Sequence, residues 1–263
     1  MNALSWRRLA AERLRAAGSP DPEADAKLLS WGDALRELSQ GEEARLGELL
    51  AKRLSGEPAQ YVLGVAWFMG LEFLVDKRVL IPRQDTELLV EKALELLKPL
   101  SNPRALDLCA GSGAIGLSIA KLHPGARVAL ADVRADACAV IEENRARLHV
   151  EAEILAGDLF EPVRGRAFDL IACNPPYVET AALANLQPEV RKEPMLALDG
   201  GADGLRFYRR IAGAYREYLS PGGQLLLEIG CNQAEAVRKL FGGGEVFQDL
   251  CGHDRVILIR GEL

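Results

Sequence analysis

Apolar residues recur at helical spacing through residues 1–63. Leu4, Leu9 and Leu14 stand among Arg and Ala, and Leu46, Leu49, Leu50 and Leu54 run through 42–54. Between them, Asp21-Pro22 supplies a helix start, with Asp21 able to cap and Pro22 at the first helical position. The pattern predicts a small all-helical domain over 1–63, fit for recognising a substrate. Character changes near Glu57-Pro58. Residues 65–75 are aromatic and β-branched around Gly70, which predicts a β-hairpin linker over 64–80. A helix is expected after Ile81–Glu87, running to Leu97.

From Arg104 onward the pattern alternates. Short apolar runs at 105–108, 128–131, 152–155, 170–173 and 225–229 are separated by helical stretches at 115–122, 135–148 and 204–219. This predicts an α/β domain over 81–263, a parallel sheet covered by helices on both faces. A last pair, 245–248 and 255–259, reads as an antiparallel hairpin at the sheet edge. Residues 178–203 carry few apolar runs and read as a long substrate-facing loop.

Composition narrows the function. No apolar run is long enough to span a membrane, and the N-terminus lacks the apolar core of a secretory signal, so a cytoplasmic protein is expected. The five Cys are odd in number and form no C-x-x-C pair, which points to reduced thiols. The three His do not cluster, so no metal is expected. A net charge of −6 argues against direct nucleic-acid binding by bulk charge.

Candidate chemistry lies at the strand ends. The segment Asp107-Leu108-Cys109-Ala110-Gly111-Ser112-Gly113 ends a strand and opens a helix, and Gly116 follows. Its glycines permit a tight turn and close ligand approach. Asp132 ends the next strand, where an acid can accept from both ribose hydroxyls of a nucleoside. The glycine spacing alone keeps a dinucleotide reading open. Asp107, inside the strand, instead suits a ligand bearing an ammonium group. Asp158, after the third strand, can accept from an adenine amino group while Leu159 packs on the ring, although a solvated turn Asp is an equal reading of that position.

Asn174-Pro175-Pro176-Tyr177 ends the strand at 168–173. The two prolines remove backbone donors and stiffen the chain, leaving carbonyl acceptors. A flat amino group could donate one hydrogen to the Asn174 side chain and one to the Pro175 carbonyl, with Tyr177 stacked on its plane. An amide or aryl nitrogen is a poor nucleophile because its lone pair is delocalised. Two acceptors would aim that lone pair at a methyl carried on a sulfonium, and positioning with electrostatics would lower the barrier. The surplus proton leaves after transfer. Nearby, Arg83, Asp85 and Thr86 read equally as ligand contacts or as a simple helix cap.

Taken together these segments resemble the HemK/PrmC family of peptide-chain release factor glutamine methyltransferases. The resemblance covers nearly the whole chain: the helical N-terminal part, the hairpin from Phe68 to Phe73, Leu80–Glu87, Asp107–Gly113, Asn174–Tyr177, Glu193-Pro194 and Gly222–Gly230. It implies a Rossmann-like, seven-stranded methyltransferase fold. It also implies S-adenosyl-L-methionine as donor, with S-adenosyl-L-homocysteine as product, and release factors as protein substrates methylated on the Gln of their Gly-Gly-Gln loop. Carried over by position, Cys109, Ala110, Gly111, Ser112, Gly113, Asp132 and Leu159 would line the cofactor, and Asn174, Pro175, Pro176 and Tyr177 would hold the amide. Family members often have Gly and Thr at the positions of Cys109 and Ala110, an aromatic at Leu159 and Pro at Gln84. A sister family modifying a ribosomal-protein Gln, and amino-group methyltransferases of nucleic acids, share the Asn-Pro-Pro-Tyr loop. Ile81–Glu87 favours the release-factor group over the first, and the acidic balance disfavours the second.

Overall fold

The computed structural model describes residues 1–261, which pack as two units. The first comprises Met1–Val65 with Gln187–Lys192. Its helices are α1 (Ala3–Ala16), α2 (Pro22–Leu29), α3 (Gln40–Leu54) and α4 (Ala59–Leu63). Each of the first three starts on a side-chain cap. Asn2 Oδ1 accepts from Ser5 N at 2.9 Å, and Asp21 Oδ1 accepts from Ala24 N at 3.1 Å. Ser39 and Glu42 form a reciprocal capping box. The apolar stripes meet in a core that includes Trp6, Leu14, Leu29, Leu46 and Leu50. Arg53 is buried beside that core. A buried guanidinium must be paired, and Arg53 donates to Asp25 Oδ2 at 2.8 Å and Glu189 Oε1 at 2.6 Å. It thereby ties residues 187–192, drawn from the long loop, to α2 and α3.

The second unit is the remainder. β1 (Val65–Phe68) and β2 (Leu71–Leu74) join through Met69 and Gly70, whose φ of 53° and 71° are what a two-residue type I′ turn demands. Phe68 and Phe73 are core residues in edge contact, while Trp67 is largely exposed. After α5 (Glu87–Leu97) come β3 (Arg104–Leu108), α6 (Ala114–Leu122), β4 (Arg127–Asp132), α7 (Ala135–Leu148), β5 (Glu153–Ala156) and β6 (Phe168–Cys173). The chain continues through β7 (Val178–Glu179), β8 (Asp199–Gly201), α8 (Arg206–Ala212), β9 (Leu219–Glu228), α9 (Ala234–Phe241), β10 (Glu245–Gln248) and β11 (Asp254–Arg260).

Seven strands form one sheet in the order β10-β11-β9-β6-β3-β4-β5. β9, β6, β3, β4 and β5 run parallel, and β11 is antiparallel to both neighbours. Alternate side chains feed two cores, as strand geometry requires. Ala105, Leu130, Leu170, Leu226 and Val256 pack with α5, α6 and α7 on one face. Leu106, Ala131, Ile171, Leu227 and Ile257 pack with α8 and α9 on the other.

Three details differ from the sequence pattern. The helix expected over 204–219 ends at Ala212, with Gly213 as its C-cap, and a short 3₁₀ turn at Tyr215–Tyr218 turns Tyr215 into the core against Phe241. Gly213 is a poor helix residue, and burying Tyr215 fixes the break. α9 has no counterpart among the sequence-predicted helices, although Val237 and Phe241 form a buried i,i+4 pair among charged neighbours. Residues 178–203 hold a small parallel pair, β7 and β8, among 3₁₀ turns.

Candidate active site

The five parallel strands end at one edge of the sheet, where ligands sit in open α/β folds. A cavity of about 310 Å³ opens there. Cys109 and Gly111 after β3, Asp132 at the end of β4, and Asp158 and Leu159 after β5 line it, and so do Asn174 and Pro176 after β6. The structure thus brings the glycine loop, the strand-end acids and the Asn-Pro-Pro-Tyr loop to one place.

Three glycines shape the loop in different ways. Gly111, at φ 56°, faces open space where a Cβ would project, so a ligand can approach its backbone. Gly113, at φ 80°, caps α6. A Cβ on Gly116 would sit 2.7 Å from the Leu130 side chain, so its absence lets α6 lie on the sheet. Ala110, Ser112 and Gly113 are buried and form the turn without reaching the cavity wall. Asn144 holds that turn by donating to the Ser112 carbonyl at 2.9 Å. Cys109 and Leu159 both have positive φ, 58° and 48°. Such a conformation is strained for a residue with a side chain, and both lie on the cavity wall.

Asp132 accepts from Gly111 N at 2.9 Å through Oδ2 and from Arg134 N at 3.0 Å through Oδ1. Burial raises its pKa, and these two backbone bonds pull it back. Each oxygen keeps a lone pair for a further donor. Asp107 is fully buried, off the cavity wall. Its Oδ2 accepts from Gly116 N at 2.8 Å, while Oδ1 is buried with no partner. Burial pushes its pKa up to about 8. Asp158 lines the cavity with its Oδ2 already paired to Arg210 Nη2 at 2.7 Å.

Pro175 and Tyr177 do not line the cavity: Pro175 is buried behind Asn174 and Pro176, and the Tyr177 hydroxyl lies 3.5 Å from Glu228 Oε1, with burial raising its pKa to about 12. The Tyr177 carbonyl accepts from Gln233 Nε2 at 3.1 Å, which fixes the end of the loop. Asn174 Nδ2 donates to Thr86 Oγ1 at 3.4 Å. Thr86 stands at the N-cap position of α5, but neither it nor Asp85 makes a side-chain capping bond there. Asp85 instead pairs with Arg255 at 3.1 Å. Arg83 pairs with the buried Glu193, whose other oxygen accepts from Ile81 N at 2.9 Å. Glu193 is therefore an anchor for the segment before α5.

Several contributors escape the sequence pattern, among them side chains of α8 and β9. Arg206, Phe207 and Arg210 of α8 line the cavity, and only their i, i+1, i+4 spacing on one helical face could have signalled it. Glu228 ends β9, fully buried, and its one sign in the sequence is a charge closing an apolar strand. Among the described residues, no group of three or more His, Cys, Asp or Glu could hold a metal ion, and no helix is long and apolar enough to cross a membrane.

Comparison with known proteins shows which family this chain resembles. A family model for the methyltransferase small domain matches residues 84–192, and one for the PrmC N-terminal domain matches 30–64. The release factor glutamine methyltransferase of Moorella thermoacetica is 41% identical over 268 residues, covering 95% of each chain. That of Geobacter sulfurreducens is 46% identical over 226 residues, covering 84% of this chain and 79% of the relative. Among solved structures, the Thermus thermophilus 16S rRNA N2 G1207 methyltransferase, in complex with AdoMet and guanosine, superposes with a TM-score of 0.56 at 20% identity, over 75% of this chain and 50% of that one. A methyltransferase from Pyrococcus furiosus superposes at 0.53 with 14% identity, over 86% of this chain and all (100%) of the other. At such identities the solved structures share the fold alone.

Proposed function

Since this chain belongs to the release factor glutamine methyltransferase family, we propose that it transfers a methyl group from S-adenosyl-L-methionine to a release factor. The acceptor is the side-chain amide nitrogen of the Gln in the Gly-Gly-Gln loop. The observation that carries this reading is that Asn174 and Pro176 share one cavity wall system with Gly111 and Asp132. A nucleoside site and a planar-amide site therefore adjoin.

The residues fit such a cofactor. The open face of Gly111 leaves room for a ligand against the backbone. The free lone pairs of Asp132 suit a ribose diol, and Asp107, buried behind the cavity wall, keeps an unpartnered Oδ1 that would reach a bound ammonium only through a water. Bound there, the cofactor supplies an electrophilic methyl on a sulfonium, which leaves as a neutral thioether. The protein's own share is positioning. Asn174 accepts one amide hydrogen through Oδ1, and the Pro175 carbonyl accepts the other. With both hydrogens held, the nitrogen lone pair is aimed along a single line. The rigid Pro175-Pro176 pair keeps the two acceptors in register, so little reorganisation is needed at the moment of transfer.

The test is direct. The purified chain is incubated with labelled S-adenosyl-L-methionine and, separately, release factors, ribosomal proteins, tRNA, rRNA and DNA. Label should enter a release factor at its Gly-Gly-Gln glutamine. Label in nucleic acid or a ribosomal protein, with none in release factors, would overturn the proposal.

A further inference from the structure

An asparagine side chain has two ends of similar size, one accepting and one donating. The chemistry proposed above needs Oδ1 of Asn174 to face the acceptor amide. The reversed amide would set its NH₂ against the substrate's NH₂, two donors facing each other. Something must decide which end faces out.

Thr86 Oγ1 takes the Nδ2 end, at 3.4 Å. A threonine hydroxyl that accepts from Nδ2 must send its own proton elsewhere, and the Glu228 carboxylate is the acceptor beside it. Tyr177 Oη donates to its Oε1 at 3.5 Å, and Thr86 and Asn174 lie near enough to pull its pKa down as donors. Thr86, Asn174 and Tyr177 therefore each present a donor to it. Its Oε2 is buried with no partner of normal hydrogen-bond length, so the carboxylate has spare accepting capacity inside the fold. Arg255, a cation that acts on it electrostatically, is already held by Asp85 at 3.1 Å and Asp249 at 3.0 Å. Tyr208 gives its hydroxyl to the Glu228 backbone carbonyl at 2.8 Å and leaves the carboxylate alone.

We propose that Glu228, acting on Asn174 both directly and through Thr86, is the positioning residue that fixes which way the Asn174 amide faces, and that it does so as a carboxylate. This rests on the reading of Asn174 as the acceptor for the substrate amide. Protonated, Glu228 would itself donate, and one of Thr86, Asn174 or Tyr177 would lose its acceptor. The hydroxyl of Thr86 would then be free to reverse, and Nδ2 of Asn174 would no longer be anchored. Burial raises the Glu228 pKa to about 7; Arg255 on β11 pulls it down, Asp85 ahead of α5 pushes it up, and Cys173 on β6 with Tyr208 on α8 complete its titratable surroundings. Turnover should accordingly fall as pH drops through about 7, with cofactor affinity unaffected.

The experiment uses the full chain, labelled S-adenosyl-L-methionine and a release factor as acceptor, with kcat and cofactor affinity followed across the neutral pH range. Glu228→Gln keeps the shape but brings an NH₂ among donors. It should lower kcat by about 10- to 100-fold, keep cofactor affinity within about threefold, and remove the acid limb. Thr86→Val, which exchanges a hydroxyl for a methyl, should lower kcat similarly, and the double variant should be no worse than Glu228→Gln alone. Asn174→Ala is run alongside. Glu228→Gln or Thr86→Val with wild-type kcat and an unchanged acid limb, while Asn174→Ala is inactive, overturns the positioning role and leaves the site reading intact. Asn174→Ala with full turnover overturns the site reading itself. Should Glu228→Gln fail to fold, the kcat of Thr86→Val decides alone.

Discussion

Asp132 serves the loop and the ligand with one carboxylate. Its two oxygens pin Gly111 and Arg134, and their remaining lone pairs face the cavity. Asp132→Ala should weaken S-adenosyl-L-methionine binding by about 10- to 100-fold, the worth of two hydrogen bonds. kcat at saturating cofactor should stay within a few-fold of wild type. Calorimetric titration measures the first and initial rates the second; undiminished affinity would remove Asp132 from the cofactor site. Such residues were legible because glycine loops and strand-end acids have fixed spacing. Glu228 was not legible, because its meaning comes from Thr86 and Asn174, which lie 142 and 54 positions before it in the sequence. Cys109 shows the reverse case. The family often has Gly there, and the observed φ of 58° explains why: a left-handed residue with a Cβ costs about 1–2 kcal/mol.

At the scale of elements, the seat of α6 on the sheet decides where the glycine loop sits. Gly116 has no room for a methyl, since Leu130 and the Asp107 Cβ would lie 2.7 and 3.0 Å away. Gly116→Ala should destabilise the fold by about 1–3 kcal/mol through overpacking, read as a lowered melting temperature. An unchanged melting temperature would show that α6 shifts freely. The parallel strands were readable because strands buried on both faces are nearly continuous apolar runs. Element ends were less so. Gly213 and the burial of Tyr215 cut a helix that the apolar pattern extends to 219, and α9 spans only eight residues, Ala234–Phe241. In a stretch so short the apolar pair Val237 and Phe241 is easily passed over.

For the molecule as a whole, two fully buried acids set the pH dependence of stability. Burial raises the pKa of Asp107 to about 8 and of Glu228 to about 7. A raised carboxyl pKa means that the folded state holds more protons than the unfolded one. The stability this brings is full below the unfolded values near 4 and is lost as pH rises through 7 to 8. Exposed acids such as Glu42 and Asp203, lowered to about 2 by hydrogen bonds, act in the opposite direction and only below about pH 4.5. The cofactor-free protein should therefore be more stable near pH 5 than near pH 8 by denaturant unfolding, and Asp107→Asn should flatten that slope. Equal slopes in the two proteins would mean that Asp107 is not held neutral. Burial of this depth is invisible in sequence, where Asp107 reads as a strand acid suited to a ligand's ammonium group.

The strand order also bears on how the sheet is reached from the unfolded chain. β3, β4 and β5 are consecutive in sequence and adjacent in space, joined by single crossovers. β6 must return to the far side of β3, and β9 and β11 then add outward from it. Pairings between nearby segments close small loops and form readily, whereas distant ones are slow. The half that carries Gly111 and Asp132 is thus built from local pairings, whereas β6, which leads into Asn174, pairs on both sides with strands distant in sequence. Kinetic cooperativity favours a transition state already ordered around β3 and β4, with the amide-binding loop among the later parts to lock.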